Sequence, residues 1–276
     1  MLETPIFLSL VTLVLFAIVF YPRFIAWRRE RIRCRPFPDR WRSIVERNVP
    51  LYSRFPRLRR EQLQGHIQVF LAEKQFIPCG GLTVNEEMRV TVAAIACLLL
   101  PDGGGDYFSR LRSILLYPTA YLATEMNPLG NYGIEERRVV RLGESWTRDQ
   151  LVLSWQQVQQ DIHNWEDGHN VVLHEFAHQL DAEDGAVQGV PLLPKDIDPD
   201  HWSKVMTEEY EKLCRSSERG MKTEIDPYGA TNPAEFFAVV TETFFENPRS
   251  LRARHPALYE LLQQYYRLDP ARRDNW

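Results

Sequence analysis

VVLHEFAHQLD, residues 171–181, sets two histidines four apart with a glutamate directly after the first. On a helix, residues four apart lie one above the other, so His174 and His178 present their imidazoles to one point in space. Val171, Val172, Leu173, Phe176, Ala177 and Leu180 surround them and make the helix apolar nearly all round, hence buried. A charged Glu175 inside such a helix needs a partner or a chemical role. The H-E-x-x-H pattern supplies both: Zn²⁺ held by the two histidines, with the glutamate as general base toward a water on the metal. The plainer alternative is a core helix whose histidines are satisfied by backbone carbonyls.

A catalytic zinc takes three protein ligands and leaves a fourth position for water. Asp181, three residues past His178 on the same helix, reaches poorly toward a metal already held by its neighbours. It reads as an outer acceptor from a ligand imidazole, or as a solvated or capping aspartate. The other carboxylates lie in TNPAEFFAVVTETFF, residues 231–245: Glu235 and, seven residues on and near the same face, Glu242. Asn232, Pro233 and Glu235 also read as a helix start, with an Asn cap, Pro in the first turn and Glu in the capping-box position. The residues alone leave Glu235 and Glu242 open as third ligand.

The remainder of the 276-residue chain, 44% hydrophobic and 25% charged, has ordinary globular composition. Four cysteines without a C-x-x-C pair show neither a thiolate zinc site nor a redox motif, and fit a reduced compartment. The net charge of −4 is unevenly spread: residues 23–60 hold thirteen Arg against Glu30, Asp39 and Glu46, so residues 61–276 are strongly acidic. An acidic main domain argues against direct nucleic-acid binding. Before the Arg run, Thr4–Pro22 carries no charge and includes IFLSLVTLVLFAIVF, which at about 1.5 Å per residue comes close to the roughly 30 Å of a bilayer core. Glu3 precedes it and no small-residue cleavage site follows, which argues for a retained transmembrane helix over a signal peptide. Arg23, Arg28, Arg29, Arg31, Arg33 and Arg35 flank it, with Tyr21 and Trp27 suited to the interface. The expectation is a single-pass protein of the inner (cytoplasmic) membrane, with the lipid bilayer as a partner and the rest of the chain on the cytoplasmic side.

Helical patterns follow in DRWRSIVERNV, EQLQGHIQVFLAEKQ and NEEMRVTVAAIACLLL, with IPCGG breaking the last two. PDGGGDY, 101–107, lacks a following Lys-Ser or Lys-Thr and reads as a turn, not a phosphate loop. SILLYPTAYLA, RRVVRLGES and LVLSW are β-rich and predict a small sheet. Helices then recur in QQVQQDIHNW, the 171–181 stretch, HWSKVMTEEYEKLC, NPAEFFAVVTETFFENP and LYELLQQYYRL. The order predicts an α+β fold in which a small sheet backs the metal-bearing helix. A substrate strand would add to an exposed sheet edge, with LVLSW as the partner.

From about residue 40 onward, GHNVVLHEFAHQLD, the following DG with GVPLLP, and DPYGATNPAEFFAVVTETFF, with ILLYP and LVLSW among the strands, resemble the Mlc titration factor A family of zinc peptidases. That family is related to the anthrax lethal factor catalytic domain. The resemblance implies a zincin-like metallopeptidase domain holding one Zn²⁺ per chain. It implies Glu235, the glutamate of the Ala-Glu-Phe-Phe segment, as third ligand, and Tyr228, seven residues earlier, as a participant in the reaction. With Glu175 as general base, the implied activity is hydrolysis of a peptide or protein substrate. Glu242 and Asp181 remain as outer-shell candidates. The family name also implies a competing role, sequestration of a transcriptional repressor with the zinc site not primarily catalytic. The predicted divisions are an anchor at 1–22, an Arg-rich linker at 23–35, a helical subdomain at 36–101 and a catalytic subdomain at 102–276, the last two packed as one unit. The membrane span is the departure from the family pattern.

Overall fold

The computed structural model describes residues 3–100, 106–119, 121–128, 134–141, 143–147, 149–183, 185 and 187–272, without the side chains of 3–15, 17, 19 and 121–147. A first helix, α1 (Glu3–Arg33), is followed by α2 (Asp39–Asn48), α3 (Pro50–Arg54), α4 (Arg57–Glu73), strand β1 (Gln75–Pro78) and α5 (Glu86–Leu98). Five strands come next: β2 (Ser113–Tyr117), β3 (Tyr121–Pro128), β4 (Ile134–Arg141), β5 (Gly143–Thr147) and β6 (Gln150–Ser154). The rest is helical: α6 (Trp155–His163), α7 (Val171–Asp181), α8 (Pro199–Glu218), a 3₁₀ turn at Pro227–Ala230, α9 (Pro233–Glu246), α10 (Pro248–Arg254) and α11 (Pro256–Tyr266).

The sheet has the order β1-β2-β6-β5. The first three strands run parallel, with Gln75 opposite Ser113 and Ile114 opposite Leu151, and β5 is antiparallel to β6. β3 and β4 form a separate antiparallel hairpin. The predicted α+β order therefore holds, with two differences. QFIP, read as the last residue of a helix and the start of the IPCGG break, is a strand. Its residues are mostly exposed, so it carries no period-2 apolar signal and is defined by pairing with β2. LVLSW is an inner strand, paired on both sides, and Trp155 already begins α6. The edges are β1 and β5, so LVLSW has no free edge to offer a substrate. The glycine turn predicted at 101–107 falls largely on residues 101–105, outside the described ones.

One apolar cluster runs from Ile32 to Ala271 and draws on both predicted subdomains. At its centre Phe176 of α7 meets Phe108 and Phe70, with ring centroids 4.8 and 5.6 Å away. Each is essentially fully buried, and burial of one such ring stabilises by about 1.5–3 kcal/mol. α7 and α9 pack face to face, which is why both read as apolar nearly all round.

The membrane expectation is overturned. No helix among the described residues is long and apolar enough to cross a membrane. The single-pass inner-membrane location, the cytoplasmic-side orientation and the bilayer as partner all lose their basis. The apolar run up to Val19 lies mostly outside the described side chains, and the amino-terminal part of α1 leaves Phe16, Ile18, Phe20, Tyr21, Phe24 and Trp27 exposed. The arginine flank has an explanation within the fold. Arg29 makes a two-point pair with Glu73 of α4 at 2.9 and 3.0 Å and lies 4.8 Å over the Tyr107 ring. Ile32 is buried in the core. Further along, Arg40, Arg47 and Arg57 pair with Glu86, Glu87 and Glu61. Of the flank that reads as a positive-inside signal, Arg28 and Arg29 are matched to Glu73 of α4.

Candidate metal centre

α7 begins where its sequence says it should. Asn170 caps it, its Oδ1 accepting from Leu173 N at 3.1 Å, and Asp161 Oδ2 accepts from Val171 N at 2.8 Å. Two acceptors thus meet orphan N–H groups at the positive end of the helix. α9 begins the same way, with Asn232 Oδ1 accepting from Glu235 N at 3.0 Å and Pro233 in the first turn. Only half of a capping box forms. The Glu235 side chain turns to the histidines instead, its Oε2 lying 3.1 Å from His174 Nε2 and 3.4 Å from His178 Nε2. The two Nε2 atoms are 3.2 Å apart.

This triangle is the test of fit for a metal. Ligands at about 2.0–2.1 Å in a tetrahedral zinc site stand about 3.4 Å from one another, and the three edges here are 3.1, 3.2 and 3.4 Å. The donor set, two imidazoles and a carboxylate, is one that zinc takes with a position left open. Among the described residues these three form the group able to hold a metal ion. Glu242 stands behind it: Oε1 is 2.7 Å from His174 Nδ1 and Oε2 accepts from Asn170 N at 2.6 Å. With its proton on Nδ1, His174 donates to Glu242 and turns a lone pair on Nε2 toward the triangle, the arrangement common behind metal-bound histidines.

The protein groups alone polarise this cluster strongly. Burial opposes a charge on His174, but hydrogen bonds to Glu235 and Glu242 outweigh it and raise the imidazole to about 10. Burial likewise opposes ionisation of Glu235, yet His174 and His178 bring it down to about 2. The site is built to hold positive charge between carboxylates, whether a proton or a metal ion that displaces it. Glu175 is buried beside His174 and is not a corner of the triangle. The Tyr228 ring centroid is 6.1 Å from that of His174. Its phenol is raised, first by burial and then by Glu235 and Glu175, so it stays protonated and able to donate.

A family model, "Glucose-regulated metallo-peptidase M90", matches residues 24–267. The chain belongs to this family. The uncharacterized protein slr2042 of Synechocystis is 43% identical over 98% of each chain. Proteins called Mlc titration factor A are 31% identical, that of Pectobacterium atrosepticum over 86% of this chain and 89% of its own, that of Yersinia pestis over 83% and 85%. The resemblance drawn from the motifs is therefore correct, and a metallopeptidase family suits the His174, His178 and Glu235 cluster of this M90 chain.

Asp181, read as an outer acceptor from a ligand imidazole or as a capping aspartate, is seen in the second kind of role. Its carboxylate accepts from Gly189 N at 2.8 Å and Val190 N at 2.7 Å, pinning the loop after α7. Gly189 has φ +77, and a Cβ there would come 2.2 Å from Pro233 O at the start of α9. Asp181→Ala strands two N–H groups and is expected to cost about 2–4 kcal/mol in urea unfolding with zinc content unchanged. Loss of zinc in that variant would favour the outer-acceptor role.

Sequence reasoning missed the buried acids behind the site. Glu246 of α9 accepts from Asn170 Nδ2 at 2.9 Å, while its Oε2 has no hydrogen-bond partner among the described residues. Burial, then nearby Asp167, Glu242 and Asp161, push it up to about 9 despite Asn170. The signal was an acid one turn after Glu242 on an otherwise apolar helix. Between its ordinary 4.5 and about 9, the folded chain keeps a proton that the unfolded chain has released, so stability falls as pH rises through that window. Glu246→Gln is expected to remove part of the fall, read from urea midpoints at about pH 6 and about pH 8.5. An undiminished fall would assign it to other groups.

Proposed function

We propose that this chain is a zinc-dependent peptidase with a zincin-like catalytic domain, in which His174, His178 and Glu235 hold the metal. The observation that carries this is the near-tetrahedral triangle of donor atoms with buried Glu175 next to it. Zn²⁺, when bound, supplies Lewis acidity that activates water and polarises the scissile carbonyl. Glu175 accepts the proton of the attacking water and returns it to the leaving amine. Tyr228 donates its phenolic hydrogen to the oxygen on which charge develops. Glu242 fixes the tautomer and orientation of His174. A substrate strand pairs with the edge strand β5, which packs beside α7. Residues 36–101 and 102–276 act as one catalytic unit, a reading supported by their shared core.

The test is cleavage of a peptide library by the zinc-loaded full chain. Tyr228→Phe should keep its zinc and lose about 10²–10³ in kcat, the scale of one oxyanion donor. A wild-type rate in Tyr228→Phe would remove the tyrosine from the reaction.

A second reading follows from the relatives named Mlc titration factor A: regulation by binding a transcriptional repressor. A structural zinc site is normally closed by four protein ligands and has no use for a general base. The two readings part on Glu175, which binding alone does not need.

A further inference from the structure

Tyr228 is 55% exposed, so packing against neighbours does little to fix its ring. Its place is set by the backbone of the 3₁₀ turn that carries it. The carboxyl-terminal half of that turn is tied down from one side: Tyr210 of α8 donates to Ala230 O at 3.3 Å, and Gly229 is buried against Leu213 and Val239. The amino-terminal half is held by Asp226. Its Oδ1 accepts from Tyr228 N at 2.6 Å, and its Oδ2 lies 3.3 Å from His169 Nε2.

His169 is not on the same element. It immediately precedes Asn170, the cap of α7, and its own N–H donates to Asp167 Oδ1 at 2.9 Å. Asn170 N in turn donates to Glu242 Oε2, and Glu242 Oε1 faces His174 Nδ1. A line of hydrogen bonds, interrupted by one ion-pair contact between Asp226 and His169 and by one peptide link, thus runs from the Tyr228 backbone through Asp226, His169, Asn170 and Glu242 to the first histidine of the metal centre. We propose that Asp226, braced by His169, is a positioning residue that holds the Tyr228 hydroxyl in register with His174. The inference rests on the reading in which Tyr228 serves the oxyanion.

Stability is a poor alternative purpose for the pair. Its side chains are 55% and 31% exposed, and exposed ion pairs add little to folding. A cap on Tyr228 N needs only one carboxylate oxygen, whereas here the second faces the segment that starts α7. The brace is the approach of His169 Nε2 to Asp226 Oδ2. What it supplies is geometry, and a displacement of about 1 Å in a catalytic group can cost up to about a hundredfold in rate.

The experiment is a double-mutant cycle on the zinc-loaded full chain with a peptide it cleaves, reading kcat, KM and zinc content. Asp226→Ala is expected to lower kcat about tenfold or more, with KM within about twofold and one zinc retained. Asp226→Asn keeps an acceptor for Tyr228 N–H and should recover most of the loss. In a Tyr228→Phe background, Asp226→Ala should cost no more than about a further twofold, because the group it positions is gone. His169→Phe removes only the exposed brace, serves if Asp226→Ala folds poorly, and should show a smaller kcat loss that also vanishes beside Tyr228→Phe. A full Asp226 or His169 effect persisting in the Tyr228→Phe background overturns the proposal, as does a loss carried by KM or by zinc. A wild-type chain that cleaves no peptide overturns the peptidase reading itself, and the positioning role falls with it.

Discussion

Glu175→Gln is expected to retain one zinc per chain while losing peptide hydrolysis by about 10³-fold or more, toward the upper end of what one acid–base group contributes. The two halves of that expectation have separate grounds. Retention follows because the triangle of donor atoms consists of His174, His178 and Glu235, and Glu175 is not a corner of it. Loss follows because an amide of nearly the same shape cannot accept the proton of an attacking water. Glu175 is well placed to accept it, being buried and close enough for its charge to be felt by both His174 and Tyr228. The effect belongs in kcat, since proton transfer stabilises the transition state and not the bound substrate. Elemental analysis beside single-turnover cleavage measures both halves. A Glu175→Gln chain that cleaves at the wild-type rate defeats the hydrolase reading and favours the repressor-binding one, whereas a chain that loses its zinc makes Glu175 structural.

The helix of His174 and His178 was legible because its period and its chemistry agree: histidines four apart, an asparagine cap and an apolar surround each point to the same buried helix. Glu235 was harder. Its segment satisfies the rule for a helix start and the need for a third ligand at once, and sequence cannot say where a side chain turns after its backbone has been capped. The structure separates the two, giving the Glu235 N–H to Asn232 and the carboxylate to the histidines. Asp181 was left open between an outer-shell and a capping role because two of the groups it holds, Gly189 N and Val190 N, are backbone groups that no side-chain pattern announces. The amino terminus misled because hydropathy and flanking charge report composition, not partners. Glu73 lies far from Arg29 in sequence and meets it only after α4 has packed on α1. His169 and Asp226 were invisible as a pair for the same reason, each sitting in a recognisable motif with nothing to show that the two motifs touch.

Glu235→Gln is expected to weaken zinc binding far more than Glu242→Gln, and the order of the two decides which glutamate touches the metal. Glu235 presents Oε2 as a corner of the triangle, so replacing its carboxylate removes a charged donor from a site whose electrostatics hold positive charge. Glu242 reaches the metal only through His174 Nδ1, and outer partners of that kind are worth about 10–100-fold in affinity. Neither change should unfold the protein. The cap of α9 uses the Glu235 backbone N–H and the Asn232 side chain, which the substitution leaves alone. The two roles part on zinc: a capping glutamate would cost about 0.5–2 kcal/mol of stability with zinc affinity little changed, while a ligand shows its loss first in zinc affinity. Competition against a chromophoric chelator gives the affinities, with His174→Ala and His178→Ala as the variants that empty the site. A larger loss in Glu242→Gln than in Glu235→Gln would move the third ligand about two turns further along α9, and the triangle would then describe a hydrogen-bonded cluster instead of a metal centre.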